Sequence, residues 1–374
     1  MGFLRALGLM SGTSMDGIDV ALVETDGVTI RARGPSLAVD YDPGFRQKLA
    51  ACLDAATQMT TRSERPGTMA EVERELTERH ARAVSAFFDR HGVDSASIDV
   101  LGFHGQTLLH RPERALTVQI GDGSELAKLT GVPVVYDMRA NDMLHGGQGA
   151  PLVPAYHVAL AAGLPRDLEP GFGPVVFVNI GGIANITLIA PGRPPVAFDC
   201  GPGNALLDQW VEQHAGIPYD DGGRISAEGS VDERVLSRYL AAPFFRRSGP
   251  KSLDRGDFSL DPLAGMELSD GAATLVRLTA ISILKAAEHM PEAPRLWIVS
   301  GGGARNDAIM DAMREAAGEG ANIVTAVDAG FSGDMMEAEA WGFLAVRSVR
   351  KLSLSFPSTT GCMFSVTGGL RADP

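Results

Sequence analysis

Glycine-rich turns that follow apolar runs are the part of this sequence best suited to chemistry. They lie at residues 12–17, 181–182, 201–203 and 301–303. Glycine accepts positive φ and lets a ligand approach the main chain without meeting a Cβ. Successive N–H groups of such a turn can point into one concavity and hold an anion. A single turn of this kind more often just joins two strands, but four of them, two with an aspartate nearby, favour binding of nucleotide phosphates.

The first turn also carries polar side chains. Ser11, Thr13 and Ser14 supply hydroxyl donors, and Asp16 supplies a carboxylate suited to Mg²⁺ or to its water shell. The alternative for Asp16 is a turn-forming aspartate without a ligand. The sequence contains neither GxxxxGK[ST] nor GxGxxG after a first strand, so it indicates neither P-loop nor Rossmann phosphate binding.

The composition of the chain restricts its possible binding partners and its cellular compartment. The formal net charge of −13 opposes broad affinity for nucleic acid or for an anionic membrane, so we expect neither as a partner. Three widely spaced cysteines form neither a disulfide framework nor a CxxC metal site. No stretch approaches the ~20 apolar residues of a membrane helix. These features predict a soluble protein in the reducing cytoplasm.

Strands alternating with helices predict α/β layers, and 374 residues predict two domains. The apolar runs predict strands at 4–10, 18–25, 98–103, 132–136, 175–179, 184–189, 196–199 and 296–300. Helical periodicity predicts helices from a Thr68/Glu71 capping box to Gly92 and at 205–215, 271–289, 306–317 and 337–349. Strand, glycine turn and strand occur at 9–24 and again at 178–189, which suggests two related lobes. We expect 165–174 and the extreme C-terminus to be loosely held.

Longer sequence motifs narrow the range of protein families that the chain resembles. They are MSGTSMDG at 10–17, HGQT at 104–107 with HRP at 110–112, GGQGAPL at 146–152, NIGGIAN at 179–185 and FDCGPGN at 198–204. In this order, over nearly the whole chain, they resemble the anhydro-N-acetylmuramic acid kinases. That family belongs to the acetate and sugar kinase, Hsc70 and actin superfamily.

The resemblance implies an α/β, two-lobed, actin-like (ribonuclease H-like) fold with an ATP cleft between the lobes. The first lobe would cover 1–140 with 338–374 returning to it, and the second would cover 141–337 and carry the adenosine segment. It also implies ATP and Mg²⁺ as cofactors, an anhydro-amino sugar as the small-molecule substrate, and a homodimer.

The resemblance assigns the nucleotide contacts to four segments. The residues are Gly12, Thr13, Ser14, Met15, Asp16, Gly17, Ile18 and Asp19 in the first hairpin; Gly181 and Gly182; Gly201, Gly203 and Asn204; and Gly301, Gly302, Gly303 and Asn306. Asp16 would also serve the metal.

In the reaction that the resemblance implies, water opens the 1,6-anhydro ring and O6 takes the γ-phosphoryl group of ATP. The product, N-acetylmuramic acid 6-phosphate, belongs to peptidoglycan recycling. Asp199 would be the general base, and Glu337 would orient the water. The alternatives are an aspartate that caps a turn or the following helix and an ordinary first-turn glutamate.

The resemblance assigns substrate binding to four residues, His104, Gln106, Arg139 and Lys251. Of these, Arg139 and Lys251 would contact the lactyl carboxylate. A structural histidine and a solvated surface lysine are the competing interpretations for His104 and Lys251. For the whole chain, the competing hypotheses are an actin-fold kinase or phosphohydrolase for another sugar or acyl substrate, and a nucleotide-gated actin-like scaffold.

Overall fold

The computed structural model describes residues 2–165, 168, 173–249, 251–253, 256–290 and 292–374. The strands are β1 (Leu4–Ser11), β2 (Gly17–Thr25), β3 (Ile30–Asp40), β4 (Val100–Arg111), β5 (Leu116–Ile120), β6 (Val134–Tyr136), β7 (Val175–Ile180), β8 (Ile183–Ile189), β9 (Val196–Pro202), β10 (Leu296–Ser300), β11 (Asn322–Thr325) and β12 (Leu370–Ala372).

The helices vary from one turn to more than six turns. They are α1 (Pro43–Ala56), α2 (Met69–His91), α3 (Gly123–Thr130), α4 (Ala140–Leu144), α5 (Pro154–Ala161), α6 (Asn204–Ala215), α7 (Arg224–Ala227), α8 (Glu233–Leu240), α9 (Leu268–Lys285), α10 (Asp307–Ala317), α11 (Met336–Val349) and α12 (Pro357–Thr360). Among the helices described, none is both long and apolar enough to cross a bilayer.

The chain forms two compact units. The first unit is Met1–Gly163 with Met335–Pro374, and the second is Leu164–Asp334. The first unit thus continues beyond residue 140, the boundary placed from the sequence, because α5 packs on α11: Tyr156 donates a 2.7 Å hydrogen bond to Glu339.

Each unit is built on a sheet with the same strand order. In the first unit β1, β2 and β3 are antiparallel neighbours, and β4 and β6 continue the sheet on the other side of β1, parallel to it. In the second unit β7, β8 and β9 are antiparallel neighbours, and β10 and β11 continue parallel to β7. This repeated order is the ribonuclease H-like topology of each actin-like lobe, so the predicted α/β fold class is confirmed.

Helix α11 lies directly against β1 and β4 because both strands have a glycine beneath it. A Cβ on Gly8 would stand 1.7 Å from the carbonyl oxygen of Ala338, and one on Gly102 would stand 2.0 Å from that of Trp341. The start of α11 is therefore held close against β1 and β4, and the first turn of this helix carries Glu337.

Several local expectations need correction. β4 extends to Arg111, so the 104–107 motif lies within a strand. β9 extends to Pro202, which places Asp199 inside the strand rather than at its end. Thr68 makes no side-chain capping bond, so the predicted capping box is wrong, whereas Gly92 ends α2 in the left-handed conformation as expected.

The two segments predicted to be loose also differ from expectation. The C-terminus ends in β12, which pairs antiparallel with β6. Of the stretch 165–174, residues 166–167 and 169–172 lie outside the described part of the chain.

Candidate active site

The hairpin between β1 and β2 presents polar groups to solvent. Thr13, Ser14 and Asp16 are exposed, and Ser14 Oγ donates a 2.7 Å hydrogen bond to Asp16 Oδ1. Met15 has a φ of 54°, and its N–H closes the turn on Gly12 O at 3.1 Å. The turn is therefore shaped by left-handed backbone at a non-glycine residue, a strained conformation that is common at binding sites.

The side chain of Gln106 holds this hairpin through buried hydrogen bonds. Its Oε1 accepts from Ser11 Oγ at 2.5 Å and its Nε2 donates to Gly12 O at 2.9 Å. The hydroxyl of Tyr41 lies 2.9 Å from the same Ser11 Oγ. Gln106 and Ser11 are fully buried. Gln106, which the resemblance assigns to sugar binding, therefore positions the hairpin between β1 and β2 through its two buried hydrogen bonds.

His104 is a buried neutral imidazole that joins the hairpin to Arg139. Burial, with the nearby charge of Arg139 as a second cause, lowers the pKa of His104 to about 3. Its Nδ1 lies 3.2 Å from Ser11 O, and its Nε2 lies 3.1 Å from Arg139 Nη2. Since Arg139 can only donate, Nε2 must accept and the ring proton sits on Nδ1.

The guanidinium of Arg139 is oriented from three directions. Nη1 donates to Gly149 O at 2.9 Å, Nη2 donates to His104, and the group lies 5.1 Å from the Trp341 ring centroid. Burial lowers the pKa of Arg139 to about 10, which leaves it charged at neutral pH. A fixed, partly desolvated guanidinium is well suited to bind a carboxylate through two parallel hydrogen bonds.

Glu337 occupies the first turn of α11 beside Arg139. Its side chain remains solvent-exposed. Protein atoms crowding its carboxyl raise its pKa, and the charge of Arg139 opposes that shift. Because the residue keeps open surface, its carboxylate can still be reached by a water molecule.

Asp142 organises the 146–149 loop that holds Arg139. It is 2% exposed and accepts hydrogen bonds from the hydroxyls of Ser355 and Thr360 and, at 2.6 Å, from the N–H of Gly149. The buried carboxylate therefore connects this loop to the C-terminal segment of the first unit.

In the second unit, main-chain groups of residues 251–253 fix Asp199. Its N–H donates to Lys251 O at 3.0 Å, and its Oδ2 accepts from the N–H of Leu253 at 2.8 Å. Asp199 is half-buried and pairs with Asn185 across β8 and β9. A carboxylate positioned in this way can act as a general base without rotating.

Lys251 is buried, not a surface lysine. It is 5% exposed, and its Nζ lies 3.3 Å from Phe244 O and 4.4 Å from the Phe244 ring centroid. Burial lowers its pKa. Its neighbour Cys200 is buried as well, and burial raises the pKa of the Cys200 thiol, which keeps it unreactive.

Three predicted glycine segments converge in the second unit. The N–H groups of Gly203 and Asn204 donate to Gly182 O and Gly181 O at 3.0 and 2.7 Å. A Cβ on Gly303 would stand 3.1 Å from the Asn204 side chain. Segments 181–182, 203–204 and 301–303 therefore form one cluster.

Three of the residues expected to contact the nucleotide use their polar groups within the protein. The N–H groups of Gly203 and Asn204 donate within the cluster, so only close approach of their main chain is left for a nucleotide. Asn306 is 6% exposed, and its Oδ1 caps α10 by accepting from Ile309 N at 3.1 Å.

The chain is similar to known proteins over nearly its whole length. The family model for anhydro-N-acetylmuramic acid kinase matches residues 4–371. Anhydro-N-acetylmuramic acid kinases from Brucella canis and Rhizobium etli are 54% and 55% identical, with 99% of this chain and 99% and 98% of theirs aligned. The chain belongs to the anhydro-N-acetylmuramic acid kinase family.

A solved structure with a related arrangement of elements is the (R)-2-hydroxyglutaryl-CoA dehydratase component A of Acidaminococcus fermentans. It is 12% identical, with a TM-score of 0.46 over 93% of this chain and 100% of that one.

The family's expected cofactors can be tested against these residues. Among the described residues, no group of three or more His, Cys, Asp or Glu side chains is placed to hold a metal ion. Mg²⁺ in kinases is usually held by one or two carboxylates together with substrate phosphates and water. The exposed Asp16 fits that pattern, and the hydroxyls of Thr13 and Ser14 beside it fit a phosphate.

Three residues that contact or support the candidate site were not identified from the sequence. Trp341 lies 4.5 Å from the His104 ring, but in a helical apolar pattern it looks like any core aromatic. Asp142 and Tyr41 act through partners far away in the chain. The nearby GGQGAPL motif at 146–152 was the one available signal for Asp142, and for Tyr41 the sequence offered none.

Proposed function

We propose that this chain is an ATP-dependent kinase that opens 1,6-anhydro-N-acetylmuramic acid with water and phosphorylates its O6. The product is N-acetylmuramic acid 6-phosphate, an intermediate of peptidoglycan recycling. The observation that carries the proposal is the family match over residues 4–371. The fixed carboxylate of Asp199 and the oriented guanidinium of Arg139 support it.

ATP would be bound by the first hairpin and by the glycine cluster of the second unit. Thr13 and Ser14 supply hydroxyl donors to the phosphates, and Gly181, Gly301 and Gly302 allow close approach of the main chain. Mg²⁺, held on Asp16 and the phosphates, would neutralise the charge of the transferring group.

Asp199 would act as the general base. Its carboxylate takes a proton from water while the water oxygen bonds to the anomeric carbon. The bond between that carbon and O6 breaks, and the electron pair left on O6 forms the new bond to the γ-phosphorus as ADP leaves. Glu337 would orient the water, and its raised pKa is consistent with a carboxyl crowded by protein.

Arg139 would bind the lactyl carboxylate of the sugar. The resemblance assigns Lys251 to the same carboxylate, but Lys251 is buried against Phe244, and its carbonyl oxygen accepts a hydrogen bond from the Asp199 N–H. We therefore assign Lys251 to positioning Asp199. We also propose that the protein is a cytoplasmic homodimer. Light scattering of the purified protein checks the oligomeric state.

The test is a product analysis. The protein is incubated with ATP, Mg²⁺ and 1,6-anhydro-N-acetylmuramic acid in H₂¹⁸O, with glucose and acetate in parallel reactions. We expect one ADP per sugar, phosphate on O6 and one ¹⁸O atom on the anomeric carbon. ADP formation with glucose or acetate, and none with the anhydrosugar, would instead favour an actin-fold kinase for another substrate.

A further inference from the structure

Tyr41 lies in the short connection between β3 and α1. It is 4% exposed, and its ring packs edge-on against Phe45 of α1, with the two ring centroids 4.8 Å apart. The start of α1 is fixed as well, because Asp42 caps it by accepting from the N–H of Phe45 at 3.0 Å. Burial raises the pKa of Tyr41, so its hydroxyl stays protonated and can donate a hydrogen bond at neutral pH.

The hydroxyl of Tyr41 reaches the beginning of the hairpin between β1 and β2. It lies 2.9 Å from Ser11 Oγ, and Ser11 Oγ donates its own proton to Gln106 Oε1. Since a hydroxyl has one proton, Tyr41 must be the donor in its bond with Ser11. Ser11 is fully buried, so loss of the Tyr41 hydroxyl would leave an acceptor position on Ser11 Oγ unfilled.

The main chain of Tyr41 holds the other end of the same hairpin. Its N–H donates to Asp16 O at 2.8 Å, and Arg46 Nη2 donates to the same oxygen at 3.0 Å. One residue is therefore bonded to the hairpin on both sides of residues 12–15, through its side chain at Ser11 and through its main chain at Asp16.

These bonds also determine how the turn presents its peptide groups. Gln106, the last member of the hydrogen-bonded chain that starts at Tyr41, donates from Nε2 to Gly12 O at 2.9 Å. The C=O and N–H of one trans peptide point in opposite directions, so the N–H of Thr13 faces away from Gln106. N–H groups directed outward from a turn are suited to hold an anion. The buried chain thus orients a donor that suits a phosphate.

We propose that Tyr41 is a positioning residue for the nucleotide, whose hydroxyl acts through Ser11 to keep the hairpin in the conformation that binds the phosphates of ATP. This inference rests on the proposed function, which places those phosphates at Thr13 and Ser14. A hairpin that already has its binding conformation loses less conformational freedom when the ligand binds. Loss of the Tyr41 hydroxyl should therefore weaken binding of the nucleotide and not binding of the sugar.

The first test removes the hydroxyl alone. Tyr41→Phe keeps the ring that packs on Phe45 and the N–H that is bonded to Asp16 O. We expect the KM for ATP, and the Kd for ADP with Mg²⁺ measured by titration calorimetry, to rise about 3- to 10-fold. The KM for the anhydrosugar should stay unchanged.

Tyr239→Phe is the matched control. Tyr239 is also 4% exposed, and its hydroxyl donates to Ser259 O at 2.7 Å within the second unit. Both variants lose one buried tyrosine hydrogen bond and should unfold at a lower temperature, but the control should bind ADP as the wild type does. Wild-type affinity for ADP in folded Tyr41→Phe, or an equal loss in Tyr239→Phe, overturns the proposal.

The second test asks whether Tyr41 acts through Ser11. The Kd for ADP with Mg²⁺ is compared between Ser11→Ala and the double variant Ser11→Ala/Tyr41→Phe. Two groups in one hydrogen-bonded chain do not contribute additively. We therefore expect that losing the Tyr41 hydroxyl causes no further change once the Ser11 hydroxyl is gone. A further loss as large as that in Tyr41→Phe alone overturns the route through Ser11.

The third test needs neither nucleotide nor sugar. Amide hydrogen exchange of residues 11–17 is measured in the unliganded protein. We expect it to be about 3- to 10-fold faster in Tyr41→Phe than in the wild type, and unchanged in Tyr239→Phe. Unchanged exchange in Tyr41→Phe overturns the positioning role. Absence of anhydrosugar phosphorylation by the wild type would instead overturn the proposed function, so the two failures are distinguishable.

Discussion

Asp199 is held by main-chain hydrogen bonds, and this decides how a substitution there should behave. Its N–H is bonded to Lys251 O, and its Oδ2 accepts from Leu253 N. An asparagine can keep both bonds through its own N–H and its Oδ1, so the geometry survives while the basic carboxylate is lost.

We therefore expect Asp199→Asn to lower kcat for anhydrosugar phosphorylation by about 10²–10⁴-fold with little change in the KM for ATP. Steady-state kinetics checks this. Asp311→Asn, on a carboxylate that is 75% exposed, is the control and should behave as wild type. Wild-type turnover in Asp199→Asn would remove this residue from the chemical step.

The proposed binding of the lactyl carboxylate by Arg139 depends on the shape of its side chain as well as on its charge. Lysine cannot contact Gly149 O, His104 Nε2 and the Trp341 ring together. We expect Arg139→Lys to raise the KM for the anhydrosugar about 10-fold or more, with a smaller effect on the KM for ATP. Arg82→Lys, at a site 64% exposed, is the matched control. Equal effects on both KM values would show that Arg139 serves the unit as a whole rather than the sugar.

At the scale of elements, the site of the first unit depends on how closely α11 approaches the sheet. Two glycines under the helix allow this contact, and a methyl group at Gly8 would overlap the carbonyl of Ala338. The helix would have to move outward, and Glu337 and Trp341 would move with it.

We expect Gly8→Ala to reduce the free energy of unfolding by about 1–3 kcal/mol or more. Thermal unfolding measures this, and kcat should fall in parallel. Gly320→Ala is the comparison, because no atom lies within 4 Å of the added Cβ. An unchanged transition in Gly8→Ala would mean that α11 does not rest on β1 as described.

The elements predicted correctly from the sequence are those with strong apolar patterns, such as β1, β7, β10 and α9. β3 was missed because it is an edge strand, and its polar sequence with Pro35 has no clear alternation. α1 and β5 were missed as well. The 198–204 motif singled out Asp199 and the resemblance assigned Arg139 to the substrate, and both roles stay predictions. The buried contacts of Gln106 and Lys251 depend on tertiary structure, and no local sequence pattern records them.

At the scale of the whole molecule, three histidines in the described part of the first unit have strongly lowered pKa values. Burial lowers the pKa of His80 to about 4 and those of His104 and His157 to about 3. In an unfolded chain all three would titrate near 6.5. The folded form therefore binds fewer protons than the unfolded form between about pH 6.5 and 4.

Stability should thus be complete above pH 6.5 and decline as the pH falls, by about 1.4 kcal/mol per pH unit for each histidine. Calorimetry from pH 8 to pH 5 measures the decline. His80→Leu should make the decline shallower, because one of the three histidines is gone. An identical slope in that variant would exclude His80 as a cause.

The first unit is assembled from both ends of the chain, whereas the second is one uninterrupted stretch, Leu164–Asp334. During synthesis on a ribosome, the second unit can complete its core while the first still lacks α11 and β12. The sheet of the first unit is synthesised earlier, but Gly8 and Gly102 stay uncovered until residues 335–374 have been made. An mRNA truncated shortly after the codon for residue 334 would therefore yield a chain in which the second unit is folded and the sheet of the first unit lacks α11.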